Sequence, residues 1–275
     1  MIQCRLSPAV ARGWVDSALD SFEDGRMVDQ SAVQLPVLWE TKDEIVLVKR
    51  AGMATELTSD PKGASLLSRV RAVHPGAKLP HRLDRVTRGL LIVALTDEAI
   101  AWHNERIHDG LWEKIYLARV CMATNLDTLV GMHNLHLKRS GGRSEIVRSG
   151  GKRALTEILA WSPAPDCLGE AHVLIRLHTG RFHQIRATMG HLGAPLVDDW
   201  LYESSPGRKR ERFYLEHTAL RFTPCGQDTL RGMHWRDDPG REPIAPRLHG
   251  ALDELLAEWV EDGVPVIGGS YAEER

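Results

Sequence analysis

The run Gly89-Leu90-Leu91-Ile92-Val93-Ala94-Leu95 constrains this chain most. It is continuously apolar and of strand length, so other elements must cover both of its faces; it predicts a strand inside a sheet. Thr96 behind it is an N-cap residue. Asp97 and Glu98 follow in the first turn, where the helix dipole favours acids. The helix so opened is expected to run to about His108 and stop at Gly110.

Other elements follow from spacing. Val37 to Glu40 and Ile45 to Val48 read as strands around a polar turn. Leu66, Leu67, Val70 and Val73 are at helical spacing, ending at His74-Pro75-Gly76. Lys114 to Cys121, Ala154 to Trp161, His172 to His178 and Phe213 to Phe222 read as strands, and Lys138 to Arg143 as a basic loop or hairpin tip. Thr179-Gly180 is expected to open a helix through Leu192, with Phe182, Ile185, Met189 and Leu192 on its buried face and His183, Arg186 and Gly190 on another. Leu248, Leu252, Leu255 and Trp259 make a late amphipathic helix. Strands outnumber helices without alternating regularly with them, which predicts an α+β fold, a mixed but mainly antiparallel sheet with flanking helices and loops. Its domain is placed at residues 36–262, between an N-terminal extension (1–35) and a C-terminal tail (263–275).

The 275 residues can bury a substantial core, and no apolar run is long enough for a membrane helix. The N-terminus lacks the apolar core of a signal peptide, and the four cysteines lie far apart. Reduced thiols and a cytoplasmic location are expected. The net charge of −2 conceals an asymmetry. Residues 1–45 carry 4 Lys and Arg against 8 Asp and Glu, residues 46–223 carry 26 against 18, and residues 224–275 carry 5 against 11. Acidic ends enclose a basic middle, as binding to a phosphate backbone would require, although enzymes that bind small anions share such an asymmetry.

Three segments carry candidate chemistry. In His81-Arg82-Leu83-Asp84-Arg85 an aspartate sits among cations just before the buried strand. Cations would keep it ionised, the form that acts as a nucleophile, but the same grouping also reads as a structural salt-bridge network. In Glu113 to Val120, alternation puts Lys114, Tyr116 and Ala118 on one face, where a tyrosine can stack on a flat ring or handle a proton; taken alone, the segment reads better as carrying a core tyrosine. In Leu177 to Arg186, a Thr-Gly-Arg turn at a helix start would offer N–H groups to an anion, and Arg186 carries a planar fork for a carboxylate or phosphate. His178, His183 and His191 are spaced too widely for a metal site and lack an acidic partner. No phosphate loop or dinucleotide fingerprint is present, which is consistent with a chain that needs no cofactor or metal.

Together the three segments resemble the RluA-type pseudouridine synthases. The resemblance rests on His81 to Gly89 (His-Arg-Leu-Asp-Arg-x-Thr-x-Gly), Lys114 to Val120 (Lys-x-Tyr-x-Ala-x-Val) and Thr179 to Tyr202. Flanking pieces at Lys49 to Met53 and Leu215 to Phe222 extend it over about residues 36–250. Arg50, Arg88, Asp198 and the spacing after His217 depart from the family pattern, which bears on substrate rather than on the reacting groups. No S4-like RNA-binding domain is recognisable in residues 1–35.

The resemblance implies the pseudouridine synthase catalytic fold and isomerisation of uridine to pseudouridine in RNA. Asp84 would attack the anomeric carbon or C6, Arg186 would pair with it, and Tyr116 would stack on the uracil. The uridine would be flipped from a stem-loop of rRNA or tRNA, with Arg82 filling the vacated stack. His81, Arg85, Thr179, Arg181, His183, Ile185 and His217 are the further substrate-binding candidates. Arg139, Arg143, Arg148, Lys152, Arg153, Arg208, Lys209, Arg210 and Arg212 are candidate phosphate contacts. A monomer with RNA as its partner is expected, without a membrane. Two rivals are a non-catalytic RNA chaperone and a nucleoside hydrolase, the latter needing Glu113 or Asp198 as a second carboxylate.

Overall fold

A computed structural model describes residues 35–57, 65–122, 124–202, 212–237 and 241–270. The apolar run becomes β3 (Arg88–Ala94), interior to the sheet as expected. Leu91 and Val93 enter the core on one face, and Leu90 and Ile92 a separate core on the other. Thr96 caps α2 (Asp97–His108), its hydroxyl accepting from the Ala99 N–H. The two early strands are β1 (Val37–Glu40) and β2 (Glu44–Lys49), and α1 (Leu66–Val73) starts at Ser65.

After α2 come β4 (Glu113–Cys121), β5 (Gly131–Ser140), β6 (Arg143–Ile146), β7 (Lys152–Pro163) and β8 (Glu170–Leu177). Then follow α3 (Gln184–His191), β9 (Leu215–Phe222), β10 (Arg231–Asp237), α4 (Pro246–Glu261) and β11 (Val266–Ser270). The sheet order is β1-β2-β3-β9-β4-β8-β7-β5-β6, with β10 also on β9 and β11 on β10. Only β3–β9 and β10–β11 are parallel, so the described residues form the mixed, mainly antiparallel α+β sheet. Both faces of β4 are covered: Tyr116, Ala118 and Val120 enter one core, while Ile115 and Leu117 meet Leu248, Leu252 and Trp259 of α4.

Two boundaries differ from the sequence reading. The sheet does not end at 262, because Val266 and Ile267 pair with Gly232 and Met233 and so join the fold instead of forming a tail. The third helix starts at Gln184 and not at Thr179-Gly180. His183 holds a left-handed conformation, φ 51°, which breaks the helix before it. From Gln184 to Met189 every residue is buried, so α3 has no separate polar face. The expected extension, but for residue 35, lies outside the described residues, as do Arg208, Lys209 and Arg210.

This order brings distant segments together. The first motif ends at the start of β3, the second lies on β4, and the third leaves β8 for α3, while β9 runs between β3 and β4. Gly89 closes the seam: its φ is +107°, and a Cβ there would collide with the His217 carbonyl on β9. Gly89→Ala should therefore lower Tm by several degrees, on the order of 3 kcal/mol. Gly110→Ala, strained at φ +72° but facing open space, should cost only about 1 kcal/mol. Equal losses in thermal unfolding would show that the close approach of β3 to β9 contributes nothing.

Candidate active site

The loop before β3 is stitched to the chain after β2 through its backbone. Thr55 Oγ1 donates to the Leu83 carbonyl (2.6 Å), and the Gly52 N–H to the Arg85 carbonyl (2.7 Å). Lys49, fully buried, donates to the carbonyls of Met53 (2.8 Å), Arg50 (3.0 Å) and Arg85 (3.3 Å). Burial pulls its pKa down to about 7 while the charge of Asp84 pushes it up. With Leu83 packed in the core, the backbone on both sides of Asp84 is fixed. Sequence reasoning quoted Lys49 only as a flanking match; its buried position at the end of β2 makes it a support of this loop.

Asp84 lines a cavity of about 350 Å³ with Tyr116, Arg186, His183, Ile185 and Lys114. All three motifs thus meet in one place. Burial raises the carboxyl pKa of Asp84 above the ordinary range, and Arg186 and Arg82 only partly offset it. The Arg186 fork is not spent on Asp84. Nε and Nη2 of Arg186 hold Asp199 at 2.7 and 2.6 Å, in a bidentate pair buried on both sides. Its remaining arm, Nη1, reaches Asp84 Oδ2 at 3.5 Å and donates to His183 Nε2 at 2.9 Å. An arginine can only donate, so His183 Nε2 is an acceptor and its proton sits on Nδ1, against Tyr202 Oη at 3.1 Å. The 3.5 Å approach of His183 to Asp84 is therefore not an ion pair.

Tyr116 lines the cavity, and His217 stacks on its ring at 4.6 Å with 11° between planes. Burial, with the charge of Asp84 added, pushes the phenol pKa well up, so Tyr116 keeps its proton. Lys114 lies on the same strand face; burial and Arg181 pull its pKa down to about 8. It was on the page as part of the alternating face, yet only the fold points it into the cavity.

Several expected binding residues also bond within the fold. His217 is fully buried behind Tyr116, bonded to the Leu90 carbonyl (2.7 Å), and burial holds its pKa near about 3. His81 lines the cavity, but its Nε2 accepts the Ile92 N–H (2.9 Å); burial puts its pKa well below the usual histidine range, so it adds no cation near Asp84. Thr179 accepts from the Leu155 N–H and donates to Gln184 Oε1. The Arg181 N–H also goes to Gln184 Oε1 (3.0 Å), so that donor of the turn is already used within the chain. The Arg181 side chain lines the cavity, with Nε on the Arg153 carbonyl. Arg82 lines it too and pairs with Glu56 (2.6 Å), while Arg85 faces an adjoining groove.

The departures have local causes. Asp198 occupies a left-handed position, φ 58°, which explains why glycine suits it, and its carboxylate takes the Arg212 N–H (2.9 Å). Arg88 meets the buried Glu216 at 3.4 Å. Arg212 bonds Glu170 at 2.5 Å, in the buried network of Arg119, which already engages that phosphate-contact candidate. Glu113, ion-paired to Arg176 and Arg221, and Asp198 do not line the cavity.

A family model for RNA pseudouridylate synthase matches residues 43–191, just over half of the chain and including Asp84, Tyr116 and Arg186. The chain belongs to that family. Among its relatives is ribosomal large subunit pseudouridine synthase D of Pseudomonas aeruginosa, 28% identical over 180 residues, which are 62% of this chain and 54% of that protein. The match thus spans about half the length of that relative. The dual-specificity RNA pseudouridine synthase RluA of Escherichia coli is 30% identical over 157 residues, 57% of this chain and 71% of that one. In fold, this family member is similar to human RNA pseudouridylate synthase domain containing 1, at a TM-score of 0.62 and 23% identity, covering 89% of this chain and 99% of that structure.

A carboxyl whose pKa is raised by folding destabilises the native state increasingly as pH climbs from its unfolded-state pKa to the raised value, fully above that, and not at all below the unfolded-state pKa. Asp84→Asn should therefore unfold at a Tm equal to or above wild type at neutral pH, with the gap closing toward acid. A clearly lower Tm at neutral pH would mean that Asp84 is a stabilising salt-bridge member.

Proposed function

We propose that this chain isomerises uridine to pseudouridine in RNA, with Asp84 as the nucleophile. The observation that carries the reading is the convergence of three separated motifs on one cavity, with a partly exposed carboxylate held beside a buried arginine. Asp84 would bond to the anomeric carbon or to C6 of the base, the glycosidic bond would break, and C5 of the turned uracil would recapture the sugar. Bound RNA would have to close the cavity over Asp84, because water would intercept such an intermediate.

Arg186 keeps a positive charge beside Asp84 and is fixed by Asp199, so its role is to favour the ionised carboxylate and aim it. Tyr116, backed by His217, offers a flat surface for uracil. Because its phenol retains the proton, Tyr116 serves as a stacking surface and hydrogen-bond donor, and the C5 proton needs another acceptor at the outset. Lys114 supplies a further donor toward a base carbonyl. The target is a uridine of an rRNA or tRNA stem-loop, flipped at a cost of about a few kcal/mol. Arg82 would fill the vacated stack after giving up Glu56. A monomer acting in the cytoplasm suffices for this chemistry.

The hydrolase alternative loses its two named carboxylates, since Glu113 and Asp198 are engaged elsewhere. The reading is tested by incubating the pure protein with transcribed rRNA and tRNA and analysing the nucleosides. Pseudouridine without free uracil is expected. Free uracil would assign a hydrolase, and binding without any product would assign a chaperone.

A further inference from the structure

Beside the cavity runs a groove of about 520 Å³ that shares the wall formed by Asp84, His183 and Arg186. Its outer side is lined by Trp200, Arg139, Arg85 and Leu57. Trp200 is 53% exposed, so part of its ring faces this groove.

The ring is presented by a constrained turn. Its neighbour Asp199 is fully buried in the fork of Arg186, and the Tyr202 N–H closes the turn on the Asp199 carbonyl (2.9 Å). Tyr202 Oη in turn accepts the Ser144 N–H (2.7 Å) on β6. The ion pair that fixes the arginine beside the nucleophile thus also fixes the platform of Trp200. Opposite, the Arg139 guanidinium lies over the Phe182 ring at 4.4 Å. Stacking occupies its face and leaves its N–H edge available for an anion.

An aromatic face, arginine donors and direct continuity with the reacting pocket make a site for one nucleotide. We propose that this groove is a second nucleotide subsite, in which the base next to the target uridine stacks on Trp200 and its phosphate meets Arg139 and Arg85. The proposal rests on the reading of the chain as an enzyme of RNA uridine, and its test separates the two.

A fluorescein-labelled oligoadenylate with one central uridine is titrated at low salt against wild type, Trp200→Ala and Trp200→Phe, with Tm measured for each. The same titrations use oligonucleotides in which the residue on either side of the uridine is abasic. Trp200→Ala should weaken binding by about tenfold, the order expected for one base stacked on an aromatic ring, and Trp200→Phe should recover most of it. One abasic neighbour should weaken wild type by the same factor and leave Trp200→Ala unaffected. No binding by wild type, wild-type affinity in Trp200→Ala, or losses that multiply independently would overturn the proposal. If the coupling is present but no pseudouridine forms on any RNA, the reaction assignment fails and the subsite stands. If Trp200→Ala forms pseudouridine at wild-type rates and the coupling is missing, the subsite fails alone.

Discussion

The buried fork between Arg186 and Asp199 is the interaction on which the site depends. A guanidinium that is 3% exposed needs a carboxylate partner, and Asp199 supplies both of its oxygens. That leaves one arm for Asp84, too long at 3.5 Å to clamp it. Asp84 therefore has a compensating charge without a tight ion pair. Burial acts against its ionisation, and Arg186 only partly offsets that. The same fork anchors the turn that carries Trp200.

The elements legible in the sequence were those whose local chemistry agreed with their surroundings. The Leu90 to Ala94 run needed burial on both faces and received it, and Thr96 capped its helix as its hydroxyl allows. β5 and β6 were legible only at their hairpin tip, because β5 buries little beyond Leu137 and so carries no apolar alternation. β10 and β11 were hidden for a different reason: Gly232, Gly268 and Gly269 interrupt short apolar stretches that gain meaning only as mutual partners. The false start of α3 came from His183, whose left-handed backbone is held by contacts of its ring with Tyr202 and Arg186 that no local pattern encodes.

For the site, the family resemblance implied which residues meet but not which bonds they make. Asp84, Tyr116, His183, Ile185 and Arg186 do line one cavity. Residue type alone could not say that His81 and His217 are neutral supports, since that follows from burial and from the backbone groups they bond. Nor could it choose between Asp198 and Asp199: one takes a backbone N–H from within a left-handed turn, while the other holds the arginine. The supporting role of Lys49 was hidden for the same reason, since its acceptors are all main-chain carbonyls.

Asp84 as nucleophile is the central claim, and the most direct measurement is pseudouridine formation by pure Asp84→Asn with RNA binding followed in parallel. The account predicts wild-type affinity for RNA with no turnover, because an amide cannot form and release the bond to the sugar or base. Measurable pseudouridine from the Asp84→Asn protein would contradict it.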